Sequence, residues 1–209
     1  MEEEYQALLV RVQRIIEAKG YRLEMNNNDE TYVFSIYDGE IIACYIQIGK
    51  STGTIVIGKT RRKRSLEDQN IFPISWISTE DAYQRQGLAL LLLIYSISYL
   101  KYKFPYIGYV TLDDDSNNSN IIGKNIYGSL GFDFRDDVQM DILRTKKLKL
   151  SGPEKQLLLD NNFISRAINV LNEKFPGIGG KLKIKKSKKT RKTKQLKQSK
   201  KFRKTKRRL

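Results

Sequence analysis

In the stretch Thr79 to Leu93 (TEDAYQRQGLALLLL), a β-type run passes through a short turn into an apolar helix whose first turn holds Gly87 and Ala89. Both residues are small enough to let a ligand approach the main chain. The amides of a helix's first turn have no intrahelical acceptor, and the positive end of the helix dipole lies there, so negatively charged oxygens fit the place. A pyrophosphate would suit it. The other groups with chemical capacity are carboxylates just past strands, Glu80 and Asp81 after one and Asp113, Asp114 and Asp115 after the next, together with Tyr127, one of 12 tyrosines. A run of three aspartates is ordinarily solvated, so at least two of them are expected to face water. With no histidine and one cysteine, the chain has no Ser-His-Asp or Cys-His pair and no structural zinc set. Catalysis here would use carboxylates, tyrosine, water or backbone amides, and no metal is expected.

These groups need elements to place them. Tyr5, Leu8, Leu9, Val12, Ile15 and Ile16 recur at helical spacing over residues 2 to 19, and Gly20 is suited to end that helix. Thr31 to Tyr37, Ile41 to Ile48 and Thr54 to Ile57 are β-branched and aromatic, broken at Asp38-Gly39 and around Gly49 to Gly53, which predicts an antiparallel meander. Arg61 to Arg64 with Ser65 to Asn70 reads as a polar, solvated insertion. Phe72 to Thr79 is expected as a buried strand, Gly87 to about Lys103 as a long apolar helix stopped by Pro105, and Tyr106 to Leu112 as a strand. Asp113 to Asn118 is a loop, Ser119 to Leu130 a second helix capped by Gly131, and Phe132 to Leu143 the last strand. Residues 153 to 174 are expected to contain one or two helical segments. The order implies a mixed α/β sheet with helices on its faces.

Two motifs on these elements resemble one family. Gln84-Arg85-Gln86-Gly87-Leu88-Ala89 fits the Q/R-x-x-G-x-G/A pattern of the GNAT superfamily of N-acetyltransferases, preceded by the usual aromatic, Tyr83. Farther on, Asn120 to Phe132 (NIIGKNIYGSLGF) is similar to that family's N-x-x-A-x-x-L-Y-x-x-L-G-F. The resemblance covers roughly residues 1 to 145 and is strongest from 72 to 134. It implies a mostly antiparallel central sheet with one splayed parallel strand pair, flanked by helices. It also implies acetyl-CoA as co-substrate, entering between the strand ending near Thr79 and the strand ending near Leu112. Pantetheine would then pair with the backbone of Ile77, Ser78 and Thr79, and the pyrophosphate would meet Gln84 to Ala89, with Asn120 and Tyr127 on a facing helix. Direct transfer to a primary amine follows, with Tyr127 aligned to the family's frequent acid; a phenol's ordinary pKa of about 10 suits a donor to a thiolate.

This sequence departs from the family at several points. The family's strand glutamate, which takes the amine's proton, is absent from Ser75-Trp76-Ile77. The nearest carboxylates are then Glu80 and Asp81 past one strand and Asp113, Asp114 and Asp115 past the next; Glu80 and Asp113 are the expected ones to relay a proton or draw in a cationic amine. Gly123 stands where alanine is usual, and Arg85 where a small residue is commoner.

The charge of the chain, 39 Lys+Arg against 23 Asp+Glu, is unevenly spread. Lys181 to Leu209 holds 17 basic residues and no acid, leaving 22 basic and 23 acidic residues in positions 1 to 180. Residues 1 to 150 are therefore expected as the acetyltransferase-like domain, 151 to 180 as a helical extension and linker, and 181 to 209 as a tail disordered when free. Such a tail would bind nucleic acid without sequence preference and weaken with salt, or serve as a nuclear import signal. Terminal runs of this kind, on a body rich in Ile, Asn, Lys and Tyr, look like those of proteins from large AT-rich DNA viruses. The rival reading is an inactive scaffold of the same fold that binds nucleic acid through the tail. Leu88 to Leu100 is 13 residues of apolar run, short of the roughly 20 a bilayer needs, and the start Met1-Glu2-Glu3-Glu4 has no export character. A soluble, intracellular protein is expected, with a nuclear or viral-genome association through the tail.

Overall fold

Apolar spacing of three and four residues makes the first element a one-sided helix, and the computed structural model places it as α1, Glu2–Ala18, with Tyr5, Leu8, Val12, Ile15 and Ile16 buried. Gly20 follows at a φ of 85° and turns the chain into the sheet. The structure describes residues 2–28, 31–49, 55–57, 60–62, 71–114, 126–134 and 154–178. The strands are β1 (Arg22–Asn27), β2 (Thr31–Asp38), β3 (Ile41–Gly49), β4 (Ile55–Ile57), β5 (Thr60–Arg62), β6 (Ile71–Thr79), β7 (Tyr109–Asp113), β8 (Asp133–Phe134) and β9 (Glu154–Leu158). The further helices are α2 (Leu88–Lys103), α3 (Ile126–Leu130) and α4 (Asn161–Lys174).

Seven strands form one sheet in the order β1-β2-β3-β6-β7-β9-β8, while β4 and β5 make a separate hairpin. Every pairing in the large sheet is antiparallel except β6 with β7. The expected fold class, a mixed and mostly antiparallel sheet with one splayed parallel pair and flanking helices, is the one observed. Helix α2 is buried nearly all round, with Leu88, Leu91, Leu92, Leu93, Ile94, Ile97 and Leu100 inaccessible, and it lies on β2, β3 and β6 beside α1. A helix so enclosed cannot roll, and its first turn is therefore held in one place. Helix α4 packs against α1 and α3; Asp160 caps it by accepting from Asn162 N (2.9 Å) and Phe163 N (3.3 Å). Among the described residues no helix is long and apolar enough to cross a membrane.

Several expectations are corrected. Glu154–Leu158 was expected within a helical extension and is instead a strand between β7 and β8, because two neighbouring strands supply its backbone with partners. Phe132 to Leu143 is therefore not the last strand; it is described only over Asp133–Phe134. β1 is an additional edge strand. The strand expected from Tyr106 begins at Tyr109. Arg61 and Arg62 lie on β5 rather than in an insertion. Residues 63 to 70, 115 to 125 including Asn120, and 181 to 209 lie outside the described residues.

The expectation of a uniformly buried strand at Phe72 to Thr79 also fails, for a geometric reason. Ile74 pairs with Ile48 but Trp76 pairs with Gln47, leaving Ser75 as an extra residue, a β-bulge. Simple alternation after Phe72 and Ile74 would turn Trp76 into the core. The bulge instead sends Ser75 and Trp76 both to the opposite face, where Trp76 is 58% exposed, and returns Ile77 to the core side.

Candidate functional site

The bulge stands where β6 and β7 part. Their parallel pairing runs from Ile71 opposite Tyr109 to Ile74 opposite Leu112 and stops, although β6 continues to Thr79. A bulge bends its strand and raises the local twist. Past Ser75, β6 stays paired with β3 through Ile77 to Thr79, while its other edge faces no strand among the described residues. An extended chain could take up those backbone groups.

Beyond Thr79 the chain makes one 3-10 turn, Asp81–Tyr83, and then the loop Gln84 to Gly87 that enters α2. The loop is braced from several sides. Gln84 Nε2 donates to Asp81 Oδ1 (2.6 Å), Tyr21 Oη donates to Gln86 Oε1 (2.7 Å), and Tyr83 Oη donates to Asp38 Oδ2 (3.1 Å). The Tyr21 and Tyr83 rings meet edge to face at 6.2 Å. Arg85 and Gly87 both have positive φ, 62° and 81°, a conformation strained for arginine and easy for glycine. Successive amides turned this way form a concave row of donors. The first bond closing α2 is Leu91 N to Gly87 O (3.0 Å), so the amides just before it have no helical acceptor.

Those donors open onto a cavity of about 990 Å³. Thr79, Gln84, Arg85, Gln86, Gly87, Leu88, Ala89 and Tyr127 all line it, so the structure brings most of the sequence-named residues to one place. Tyr127 lies half-buried on α3, its ring edge-on to Phe132 at 5.9 Å. Ile77 and Ser78 are on β6 upstream of the cavity and do not line it; Ile77 packs against the core, Ser78 is half-buried, and their backbone edge faces no strand among the described residues. Glu80 and Asp113 are exposed and do not line the cavity. Of the three aspartates, at least two of which were expected to face water, Asp113 is exposed and Asp114 is buried against Lys155 Nζ at 2.5 Å, an ion pair that ties the end of β7 to β9. Asp115 and Asn120 lie outside the described residues.

The wall that sequence reasoning missed comes from the end of α4: Val170, Glu173, Lys174 and Phe175. Phe175 is buried and leans on Gly87 so closely that a Cβ at position 87 would lie 2.8 Å from its Cζ. Amphipathic spacing shows that α4 buries a face; it does not show against what.

No protein-family model matches the chain, and no curated protein matches it. Solved structures with similar backbones include the ribosomal-protein-S18-alanine N-acetyltransferase from Escherichia coli, at 17% identity over 75% of this chain and 88% of that one, TM-score 0.42. Another is an acetyltransferase of the GNAT family from Streptococcus pneumoniae, at 13% over 76% and 96%, TM-score 0.40. A third is a Bacillus subtilis acetyltransferase in complex with CoA, at 14% over 67% and 98%, TM-score 0.38. Identities this low leave the chemistry of the site to this chain's own residues.

Proposed function

We propose that the chain is an acetyl-CoA-dependent N-acetyltransferase that moves an acetyl group directly to a primary amine, on a protein lysine or N-terminus or on a small polyamine. The observation that carries this reading is the coincidence of three features at one cavity: strands that part after Ile74 and Leu112, a row of unpaired amides from Arg85 into α2, and a tyrosine on the facing wall. A pyrophosphate fits the amide row by charge and by the absence of a competing helical acceptor. Acetyl-CoA, bound there, would supply an activated acetyl thioester. The free edge of β6 over Ile77 to Thr79 holds an extended chain by backbone pairing, and the loop amides fix its anionic end. Tyr127 holds a phenolic proton at the cavity wall for a departing thiolate. Glu80, just past β6, and Asp113, at the end of β7, both exposed, accept the amine's proton through water.

The test is thiol release from acetyl-CoA with a panel of amines and basic peptides. Tyr127→Phe should slow transfer by roughly 10²-fold, the lower range for general acid catalysis, while CoA affinity stays within twofold. Unchanged turnover would remove Tyr127 as the acid, and absence of CoA binding by calorimetry would remove the proposal. The residues from Lys181 to Leu209 are proposed to tether the protein to nucleic acid, with affinity falling steeply as salt rises. A band-shift series in increasing salt checks that separately.

A further inference from the structure

The chain's single tryptophan stands in water, on the sheet face away from α2, at the place where the strands part. That is an uncommon position for a residue of this size. Among the described residues, Trp76 forms no hydrogen bond and no ring or cation contact. Register places an acid on the same face. Thr111 of β7 is opposite Pro73, which touches the Gly49 side of the sheet, so Thr111 and Asp113 point to the same face as Trp76. With Leu112 opposite Ile74, Asp113 is one step farther along, across the gap from the bulged Ser75-Trp76. Asp113 is exposed and pairs with no cation among the described residues, whereas Glu24 on the same face is held by Arg22.

An indole face and an unpaired carboxylate share one attraction, a cation, and tryptophan is the strongest aromatic partner for one. We infer that this face is the acceptor site of the proposed acetyltransferase, and that it takes a lysine-type side chain of a polypeptide, its ammonium group lying between Trp76 and Asp113. The inference rests on the acetyltransferase reading for its name, not for its geometry. An indole face beside a carboxylate fits one ammonium group at the end of an alkyl stem, as in a lysine side chain. The half-exposed Val33, Tyr45 and Gln47 beside Trp76 offer a broad surface to the flanking peptide.

Because Trp76 is alone, emission excited at the indole band reports on this site and nothing else in the protein. The full chain is titrated with a short capped Gly-Lys-Gly peptide, the same peptide with acetyl-lysine, and spermidine. The expected result is a saturable change in emission with the lysine peptide and a much weaker one with acetyl-lysine. Asp113→Asn should raise the half-saturation concentration roughly threefold to fivefold, the range of an exposed charge pair, with an unchanged thermal midpoint. Equal responses to lysine and acetyl-lysine, no response at millimolar peptide, or indifference to Asp113→Asn would each overturn the proposal. A response to spermidine alone would overturn the polypeptide assignment. Loss of CoA binding in calorimetry with the peptide response intact would sink the acetyltransferase reading and leave the amine site standing.

Discussion

Two seams of the same sheet behave differently. Between β2 and β3 the strands stay paired from Thr31 opposite Gly49 to Asp38 opposite Ile41, and the one irregularity beside Ile36 is absorbed within the ladder. Between β6 and β7 the ladder ends after four residue pairs, at the bulge. The sealed seam needs only alternating apolar side chains; the open one needs something to stop it from zipping or tearing. That support comes from three sides: β3 on the far edge of β6, the Asp114–Lys155 pair behind β7, and Phe175 under the loop. The difference teaches that an opening begun by a bulge in one bordering strand is kept open by its surroundings.

The largest expected effect comes from breaking the anchor. Lys155→Met removes the cation 2.5 Å from the buried Asp114 carboxylate and should cost about 3–5 kcal/mol in denaturant unfolding, while Lys155→Met with Asp114→Leu should regain much of it. A single variant as stable as the parent would mean that the pair does not hold the seam. Next are two glycines, one on each side of the comparison. Gly87→Ala adds a Cβ to a left-handed residue and drives it into Phe175, so a loss of about 2 kcal/mol and weaker CoA binding are expected. Gly49→Ala at the end of the sealed seam would meet Pro73 Cγ at 3.4 Å, ordinary contact, and should stay within about 0.5 kcal/mol.

A pH experiment probes the β3–β6 seam, where Cys44 is opposite Thr79. Burial pushes the Cys44 thiol up to about 11, against a partial lowering by the Thr79 hydroxyl. A folded pKa raised above the unfolded one means that the native state keeps its proton while the unfolded chain loses it. Stability is then full below about pH 9 and falls as pH rises towards 11, by on the order of 2 kcal/mol. Thermal midpoints at pH 8 and 10 should diverge less in Cys44→Ala. A further effect lies outside both seams. Arg11, buried between α1 and α4, donates to Asn172 Oδ1 at 2.7 Å but leaves Nε and Nη1 without partners among the described residues, and burial lowers its pKa. Arg11→Met should raise stability by about 1 kcal/mol in calorimetry.

How far the sequence revealed this depends on whether local pattern or distant pairing decides an element. Helices α1 and α2 were legible because their apolar spacing is self-contained, and the loop from Gln84 to Ala89 because its glycine and flanking types make sense in place. β9 was not, since EKQLL has no alternation and Lys155 is made acceptable inside by a carboxylate, Asp114, 41 residues earlier in the chain. β1 was missed because an exposed edge strand such as RLEMNN needs no apolar face. The bulge left no local trace: Phe72, Ile74 and Trp76 alternate as if all were internal, and only the register with β3 shows otherwise.

That extra residue gives the molecule an unusually clean genetic handle. An in-frame deletion of the Ser75 codon would leave Ile74 inward, Trp76 outward and Ile77 inward, so the hydropathic plan downstream would survive intact. What would vanish is the kink, and with it the reason for the two parallel neighbours to separate. One triplet thus stands between a sheet with a slot in it and a plain wall.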